Sequence, residues 1–153
     1  MSLRANIENK YKDAIKNKKV GEIHTLRLIK SAIKDKDIAT RTQENKELIS
    51  DSEILSLLQS LIKQRKDSID SFKLASREDL VLIEQDEIDI IFLFLPKQMD
   101  EEQTLELITK IIKDNNLDSI KDMGKLMSEL KLNHAGSIDM ALAGKLAKSK
   151  LIN

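Results

Sequence analysis

The sequence predicts an all-α protein, and three observations lead to this prediction. Hydrophobic residues make up 41% of the chain and charged residues 34%, a balance typical of helices that expose one polar side. Valine, which favours strands, occurs only at Val20 and Val81, and no long stretch alternates apolar with polar residues. Helix-capping patterns recur along the chain. We expect an N-terminal unit of about four helices and a small C-terminal unit of three.

Two helices are predicted in the first third of the chain. The first covers residues 3–18 and ends before Gly21, and the second runs from about residue 22 to residue 40. A polar loop follows over residues 41–46. The residues of the first helix that are expected to face the core are Leu3, Ile7, Ala14 and Ile15.

Capping residues predict where the third and fourth helices begin. Ser50 or Asp51 can cap a third helix that ends near Phe72. Ser76 with Asp79 resembles a capping box for a fourth helix, in which the serine and an acidic residue three positions later satisfy each other's backbone N–H groups. The fourth helix should stop at the proline that follows it, because proline cannot continue a helix.

That proline, Pro96, is the only one in the chain and marks the predicted boundary between two domains. Residues 1–96 form the N-terminal domain and residues 97–153 the small C-terminal domain. The apolar run Ile90–Leu95 could be a strand by composition, but the helix formers before it favour a helix.

Three helices are predicted in the C-terminal domain, again from their caps. Asp100 with Gln103 caps the first, and Ser119 with Asp122 caps the second. A turn follows, after which Ser137 is expected to cap the last helix.

Composition excludes several classes of protein. Cysteine is absent, which excludes disulfides, a thiolate nucleophile and cysteine metal sites, and aromatic residues are only 3%, too few for base-stacking platforms. The first residues lack an apolar signal core. The longest apolar run, six residues, is far shorter than the about 20 that a membrane helix needs. We therefore expect a cytoplasmic protein without a membrane partner.

The net charge is zero, but the charges are distributed unevenly. Residues 1–50 carry 12 basic and 7 acidic side chains, whereas residues 51–100 carry 6 basic and 11 acidic ones. A face that binds anions is therefore expected in the first third of the chain. The alternative is that the basic and acidic parts face each other within one fold.

Sequence motifs give little support for catalysis. There is no glycine-rich phosphate loop and no His-Glu-x-x-His pattern, and His24 and His134 lie on different predicted elements. Asp86 and Asp89 share a helix face, but two carboxylates make a weak cation site, and a solvated face accounts for them better. We expect no catalytic residues, no metal site and no cofactor.

Arg65 is predicted to be structural rather than functional. At about 100° per residue, it falls in the middle of an apolar stripe of the third helix, while Glu84 and Glu87 fall within the apolar stripe of the fourth. A guanidinium at such a position requires a partner, because an unpaired buried charge is costly. We expect Arg65 to pair with Glu84, Glu87 or both.

The most specific pattern in the chain is the segment Lys63–Gln98, which resembles the signature of the GatB/YqeY family. In that signature a Lys-Gln-Arg-x-Asp-Ser-Ile run leads through Arg-Glu-Asp-Leu and Glu-x-x-Glu-Ile to Leu-Pro-Lys-Gln. The matching residues are Lys63, Gln64, Arg65, Asp67, Ser68, Ile69, Arg77, Glu78, Asp79, Leu80, Glu84, Glu87, Ile88, Leu95, Pro96, Lys97 and Gln98, with Gln85 between the two glutamates.

Looser matches extend the resemblance over essentially the whole chain, and the last helix departs from it. The common form there reads Gly-Arg-Ala-Asp-Gly-Lys-Leu; here Gly136 and Asp139 remain, but other residues replace its Arg-Ala and Gly-Lys pairs. The replacing residues are Ser137, Ile138, Met140 and Ala141. The looser matches are Leu26, Arg27, Lys30, Ala32, Ile33 and Lys34, then residues 121–125 and Met127.

The resemblance implies a helical protein similar to the tRNA-contacting tail of the aspartyl/glutamyl-tRNA amidotransferase B subunit, without its catalytic part. It suggests a non-catalytic module whose partners are tRNA and a tRNA-processing or amidotransferase protein. The alternative is a protein-interaction adaptor that uses the acidic middle of the chain. A carbon–nitrogen ligase with glutamine as amido donor ranks last, because nothing in the chain resembles the parts that handle ATP and glutamine.

Basic residues on two predicted regions are the candidate nucleic-acid contacts. Arg27, Lys30 and Lys34 lie at i, i+3 and i+7 of the second helix and share a face, which can follow phosphates. The alternative is an ordinary solvated helix face. The further candidates, in the C-terminal region, are Lys121, Lys125, Lys145 and Lys148.

Overall fold

The structure is a computed structural model that describes residues 2–152. Within this range the chain forms seven α-helices and one short 3₁₀ helix and no strand, which confirms the all-α prediction. The helices are α1 (Leu3–Lys16), α2 (Val20–Thr40), α3 (Asp51–Leu74), α4 (Glu78–Phe92), α5 (Glu101–Asp114), the 3₁₀ helix (Ile120–Asp122), α6 (Met123–Asn133) and α7 (Met140–Ile152).

The chain divides into two compact units, the first ending at Leu95 and the second beginning at Pro96. The first unit contains α1–α4 and the second contains α5–α7 with the 3₁₀ helix. The predicted domain limits, 1–96 and 97–153, stay a prediction about independent folding, which the proteolysis and unfolding of the two parts would test.

The N-terminal unit is built around one hydrophobic core. Helix α3 packs along α4, and α1 packs on α2, so that the apolar stripe of each helix faces the others. Ile49, in the loop before α3, joins the same core. The most deeply buried side chains are Ile7, Leu26, Ile29, Ile54, Leu58, Ile88 and Ile91.

The C-terminal unit has a core of its own. Helix α7 packs on α5 and α6, with Leu117 and Ile138 contributed by the connecting segments. Alanine at positions 143 and 147 of α7 is fully buried, as small residues are where helices approach closely. The remaining buried residues of this core are Ile108, Ile111, Leu126, Leu130 and Leu151.

Two of the predicted caps are confirmed by reciprocal hydrogen bonds. The Ser50 hydroxyl accepts from the N–H of Glu53, whose carboxylate accepts from the N–H of Ser50. The same exchange joins Asp100 and Gln103 at the start of α5. These boxes satisfy N–H groups that the first turn of a helix leaves without partners.

Two other predicted caps are wrong. Ser76 adopts a φ of 56°, and α4 begins beyond it, where Arg77 pairs with Asp79 at 3.0 Å. Ser137 does not cap α7, because its hydroxyl donates to the carbonyl of His134. Asp139 takes that role instead, accepting from two N–H groups in the first turn of α7.

Helix α1 also differs from its prediction. It ends at Lys16 rather than at residue 18, because Lys18 takes a left-handed φ of 55° that a helix cannot continue through. Leu3, Ile7 and Ala14 are buried as expected. Ile15 is 47% exposed, because it lies at the edge of the apolar stripe rather than within it.

The Leu-Pro-Lys-Gln end of the signature segment has a structural role in the C-terminal unit. The side-chain amide of Gln98 donates to the carbonyl oxygens of Pro96 and Gly136, and the N–H of Met99 donates to the carbonyl of Ser137 at 2.7 Å. Gly136 has a φ of 82°, which favours glycine. The departure at Ile138 places a fully buried side chain in the core.

Candidate nucleic-acid interface

The basic ridge (Arg27, Lys30 and Lys34) lies on α2, and α1 positions two of its side chains. Arg27 Nε donates a 3.1 Å hydrogen bond to the Tyr11 hydroxyl. Lys30 Nζ lies 2.8 Å from Glu8 Oε2 and 4.1 Å from the centroid of the Tyr11 ring, a cation–π distance. The two side chains are therefore held in place beside the exposed Lys34.

Glu8 responds to this basic surrounding. The hydrogen bond from Lys30 is the main reason why the pKa of Glu8 lies below its usual value. Burial opposes it as the next largest effect, and the charges of Lys30 and Lys12 add to the lowering. Glu8 therefore stays ionised and competes with any external anion for Lys30.

A groove of about 380 Å³ lies between α1 and α2, and two residues of the basic ridge, Lys30 and Lys34, line it. Ile7 and Ile33 supply its apolar lining, and Ser31 and Lys34 add a hydroxyl and an ammonium group. Arg4, Glu8, Lys30 and Asp37 complete the lining, so three cationic and two acidic side chains surround the apolar surface. The cations can bind a phosphate of a nucleic-acid backbone, and the two carboxylates compete with it for them.

A partly buried ion pair that was not predicted from the sequence lines part of this groove. Arg4 donates two hydrogen bonds to Asp37, the one from Nη1 measuring 3.0 Å, and a third to the carbonyl of Ile49 at 3.2 Å. Asp37 Oδ1 also accepts from the N–H of Ile49 at 2.9 Å. The cluster joins the start of α1, the end of α2 and the loop before α3.

A signal for this pair existed in the sequence. Asp37 lies four residues after Ile33 and therefore continues the apolar side of α2, as Arg65 does on α3. A charge within an apolar stripe indicates a buried partner. Glu8 and Tyr11 were also missed, although they lie three residues apart on one flank of α1.

Arg65 lies inside the N-terminal unit, where it pairs with Glu87. Its Nε donates to Glu87 Oε2 at 2.9 Å, and its Nη1 donates to the carbonyl of Leu61 at 3.1 Å. Arg65 is 9% exposed. His24 Nε2 lies 3.8 Å from the other carboxylate oxygen of Glu87, so this cluster involves α2, α3 and α4.

Glu84, the second predicted partner, interacts electrostatically with both Arg65 and Glu87. Burial raises its pKa, the charge of Glu87 raises it further, and the charge of Arg65 opposes both effects. The direct hydrogen bond of Arg65 goes to Glu87, one helical turn further along α4.

The C-terminal candidates Lys121, Lys125, Lys145 and Lys148 are all exposed. Lys145 and Lys148 share a face of α7, whereas the other two lie on the 3₁₀ helix and on α6. The predicted contact residues are therefore divided between the two compact units, with the basic ridge in the first.

Between residues 2 and 152, no three His, Asp or Glu side chains come together in an arrangement that could hold a metal ion. No helix in that range combines the length and apolar character needed to cross a membrane.

Three curated fungal proteins are similar in sequence to this chain. "Altered inheritance of mitochondria protein 41, mitochondrial" of Saccharomyces cerevisiae (strain YJM789) is 30% identical over 110 residues, 69% of this chain and 57% of the relative. The protein of that name from Pyrenophora tritici-repentis is 34% identical over 80 residues, 52% and 41% of the two chains. An uncharacterised Schizosaccharomyces pombe protein is 30% identical over 96 residues, 63% of this chain and 74% of its own.

This chain spans about half the length of the curated relatives named for mitochondrial inheritance. The sequence profile of the family described as "Yqey-like protein" matches residues 4–151, which include the signature segment and parts of both compact units. That match confirms the resemblance first recognised in Lys63–Gln98. The chain belongs to the YqeY-like protein family.

Proposed function

We propose that this chain is a non-catalytic, tRNA-associated module whose basic ridge contacts the phosphate backbone. The observation that carries the proposal is the fixed arrangement of Arg27 and Lys30. Tyr11 holds Arg27, and Glu8 and the Tyr11 ring hold Lys30. Lys30 and Lys34 line the groove between α1 and α2. Cations that are already ordered lose less side-chain entropy when they bind phosphate.

The chemistry of the surface favours recognition of backbone and shape over bases. Tyr11 is the only tyrosine and the chain has no tryptophan, so successive bases have no row of aromatic rings on which to stack. Lysine meets phosphate as a point charge, and arginine can make paired hydrogen bonds with it. Lys63–Gln98 resembles the signature shared with the tRNA-contacting amidotransferase tail, and for this reason tRNA is the RNA that we propose as the ligand.

Charge reversal of the ridge tests this proposal. The triple variant Arg27→Glu, Lys30→Glu, Lys34→Glu should bind tRNA more weakly, and the slope of log affinity against log salt should become shallower by about two to three units. Circular dichroism must show that the variant is folded. The matched control reverses three exposed lysines elsewhere in the same unit, Lys46, Lys66 and Lys73.

The control keeps the same change of net charge and should retain most of the affinity. Equal loss in both variants would mean that net charge rather than the ridge governs binding. Wild-type protein that fails to bind tRNA at low salt would contradict the proposal and favour the protein-interaction adaptor.

A gain of binding provides a second test. Glu8→Gln removes the charge that competes for Lys30 but keeps a side-chain oxygen and the Tyr11 ring that position the ammonium group, so the affinity for tRNA should rise and the salt slope should steepen by about one unit. The control is Glu44→Gln, an exposed change in the loop before α3 that removes the same charge. Lower or unchanged affinity of the Glu8→Gln variant would contradict the idea that Lys30 contacts phosphate.

The ligase alternative is tested by assay of rigorously purified protein. We expect no ATP-dependent and tRNA-dependent conversion of glutamine to glutamate, and turnover would overturn the non-catalytic proposal.

The predicted cytoplasmic location is likewise a proposal, since the names of the yeast relatives place those proteins in mitochondria. Cell fractionation with an antibody against this chain decides it.

A further inference from the structure

Helix α4 has one side in the core and an opposite side open to solvent. Val81, Ile88 and Ile91 are buried, and Glu87 fixes the helix to α3 through Arg65. At about 100° per residue, the side that points away from these residues passes through four positions. They form the α4 outer face: Leu82, Asp86, Asp89 and Leu93.

The α4 outer face combines apolar and acidic side chains in a regular order. Leu82 is 64% exposed and Leu93 is 60% exposed, and the two exposed aspartates lie between them. At about 1.5 Å per residue the leucines are about 16 Å apart, or three helical turns. Ile83, 53% exposed, widens the apolar surface on one side. Single exposed leucines are common, but here Leu82, Ile83 and Leu93 are each more than half exposed along one helix, and apolar side chains exposed together indicate a binding surface.

The electrostatics of α4 determine which partner this face fits. Glu78–Phe92 contains six acidic residues and no lysine or arginine. The partial negative charge at the carboxyl end of the helix, near Leu93, adds to that of the carboxylates. Such a surface repels a nucleic-acid backbone and the anionic headgroups of a membrane. It attracts a cationic partner, and its exposed leucines require that partner to be apolar as well.

We propose that the α4 outer face binds a basic amphipathic helix of a second protein. A helix fits because Leu82 and Leu93 lie three turns apart on one side of α4, and a partner helix can place apolar residues at i and i+11, also about 16 Å apart, against them. Lysine or arginine residues at the edges of its apolar stripe meet Asp86 and Asp89. This site lies on a different element from the basic ridge, so the chain can hold RNA and a protein at once.

The test uses a synthetic helical peptide of about 18 residues, made of leucine and lysine in an amphipathic order. Fluorescence anisotropy with the full chain should show saturable binding that weakens with salt. A scrambled peptide of the same composition should bind at least about tenfold more weakly, because it has no apolar face. Equal binding of the two peptides would overturn the proposal.

Variants of the face locate the binding site. Leu82→Ser with Leu93→Ser, and separately Asp86→Asn with Asp89→Asn, should each weaken peptide binding about tenfold. All four positions are exposed, so the fold should be retained, and circular dichroism checks this. Binding by either variant equal to that of the wild-type chain would overturn the proposal.

Matched controls make the same leucine-to-serine change, or the equivalent loss of two carboxylate charges, at other exposed positions of the N-terminal unit. Leu48→Ser with Leu74→Ser, and Glu44→Gln with Glu47→Gln, should bind the peptide as the wild-type chain does. If the controls lose as much affinity as the face variants, the peptide is bound by general charge and the proposal fails.

Sedimentation equilibrium tests whether the α4 outer face binds a second copy of this chain instead of a second protein. We expect the wild-type chain and the Leu82→Ser, Leu93→Ser variant to show the same mass. A wild-type dimer that this variant converts to a monomer would assign the α4 outer face to self-association and would overturn the proposed heterologous partner.

Discussion

At the residue scale, the ion pair of Arg65 with Glu87 gives the most direct test of how the N-terminal unit is held together. Arg65→Ala leaves Glu87 in a largely buried position without its main partner, so the free energy of unfolding should fall by about 3–5 kcal/mol. Urea unfolding followed by circular dichroism measures it. A loss below about 1 kcal/mol would mean that the pair is solvated.

The double variant Arg65→Met, Glu87→Leu is the control for that interpretation. It removes both charges and keeps apolar volume, so it should be more stable than Arg65→Ala alone, because no buried charge remains unpaired. If the double variant is the less stable of the two, packing rather than charge accounts for the single-variant loss.

The pH dependence of stability should reveal the Arg4–Asp37 pair. The hydrogen bonds from Arg4 lower the pKa of Asp37 and outweigh the effect of burial, with a further contribution from the N–H of Ile49. A lowered pKa in the folded state stabilises the fold above the ordinary value of 3.8, and this stability is lost as the pH falls through the lowered value.

Asp37→Asn should therefore be less stable than the wild-type chain at neutral pH by about 1.5–3 kcal/mol, the range for hydrogen bonds to charged groups. The difference should shrink in acid, where wild-type Asp37 is protonated. Thermal unfolding at a series of pH values measures both quantities. A difference that does not depend on pH would contradict the role of the carboxylate charge.

The contribution of Glu84 to stability should depend on pH in the direction opposite to that of Asp37. Burial and the charge of Glu87 raise its pKa, so its contribution to stability is present below the ordinary value of 4.5 and is lost as the pH rises through the raised value. Glu84→Gln should therefore be more stable than the wild-type chain at neutral pH and should lose this advantage in acid. Reduced stability of Glu84→Gln at neutral pH would mean that its charge supports the fold.

At the element scale, mutations at the start of α7 can distinguish Asp139 from Ser137 as the N-cap of that helix. Asp139→Ala removes the acceptor of two first-turn N–H groups and should lower stability by about 1 kcal/mol, whereas Asp139→Asn should cost little. Ser137→Ala should have the smaller effect of the two alanine changes, because Ser137 donates outside the helix. Thermal unfolding measures all three, and a larger loss at Ser137 would restore the cap expected from the sequence.

The helices were predictable from sequence because their apolar stripes are regular, but two caps were not. Serine and aspartate are both good N-caps, and the choice depends on the backbone before the helix. Ile138, between Ser137 and α7, is fully buried in the core, and Asp139 after it accepts the first-turn N–H groups of the helix. Ser76 resembled a cap in a capping box, but its positive φ places it in the turn before α4.

The candidate site was predictable only in part, for a related reason. The i, i+3, i+7 spacing identified the face of the basic ridge within α2. The partners Tyr11 and Glu8 come from α1, and their contacts depend on how two helices pack, which periodicity within one helix does not describe. Composition alone also could not show whether the acidic residues of α4 face the ridge or solvent.

At the scale of the whole molecule, the two separate cores predict two partly independent unfolding transitions. Tyr11 is the only tyrosine and the chain has no tryptophan, so tyrosine fluorescence reports on the N-terminal unit, while circular dichroism reports on both units. Arg65→Ala should lower the midpoint seen by fluorescence. Gly136→Ala introduces a side chain at a left-handed φ and should destabilise the C-terminal unit by about 1 kcal/mol without moving that midpoint.

The two variants together test whether each core is a cooperative unit. If residues 1–96 and 97–153 fold independently, each change shifts one transition, and cutting the chain near Lys97 by limited proteolysis should leave an N-terminal fragment with the same fluorescence midpoint. If Gly136→Ala shifts the tyrosine transition as much as the transition seen by circular dichroism, the chain unfolds as a single unit. In that case RNA bound at the basic ridge would also stabilise α7 against unfolding, because a ligand raises the free energy of unfolding of the whole cooperative unit to which it binds.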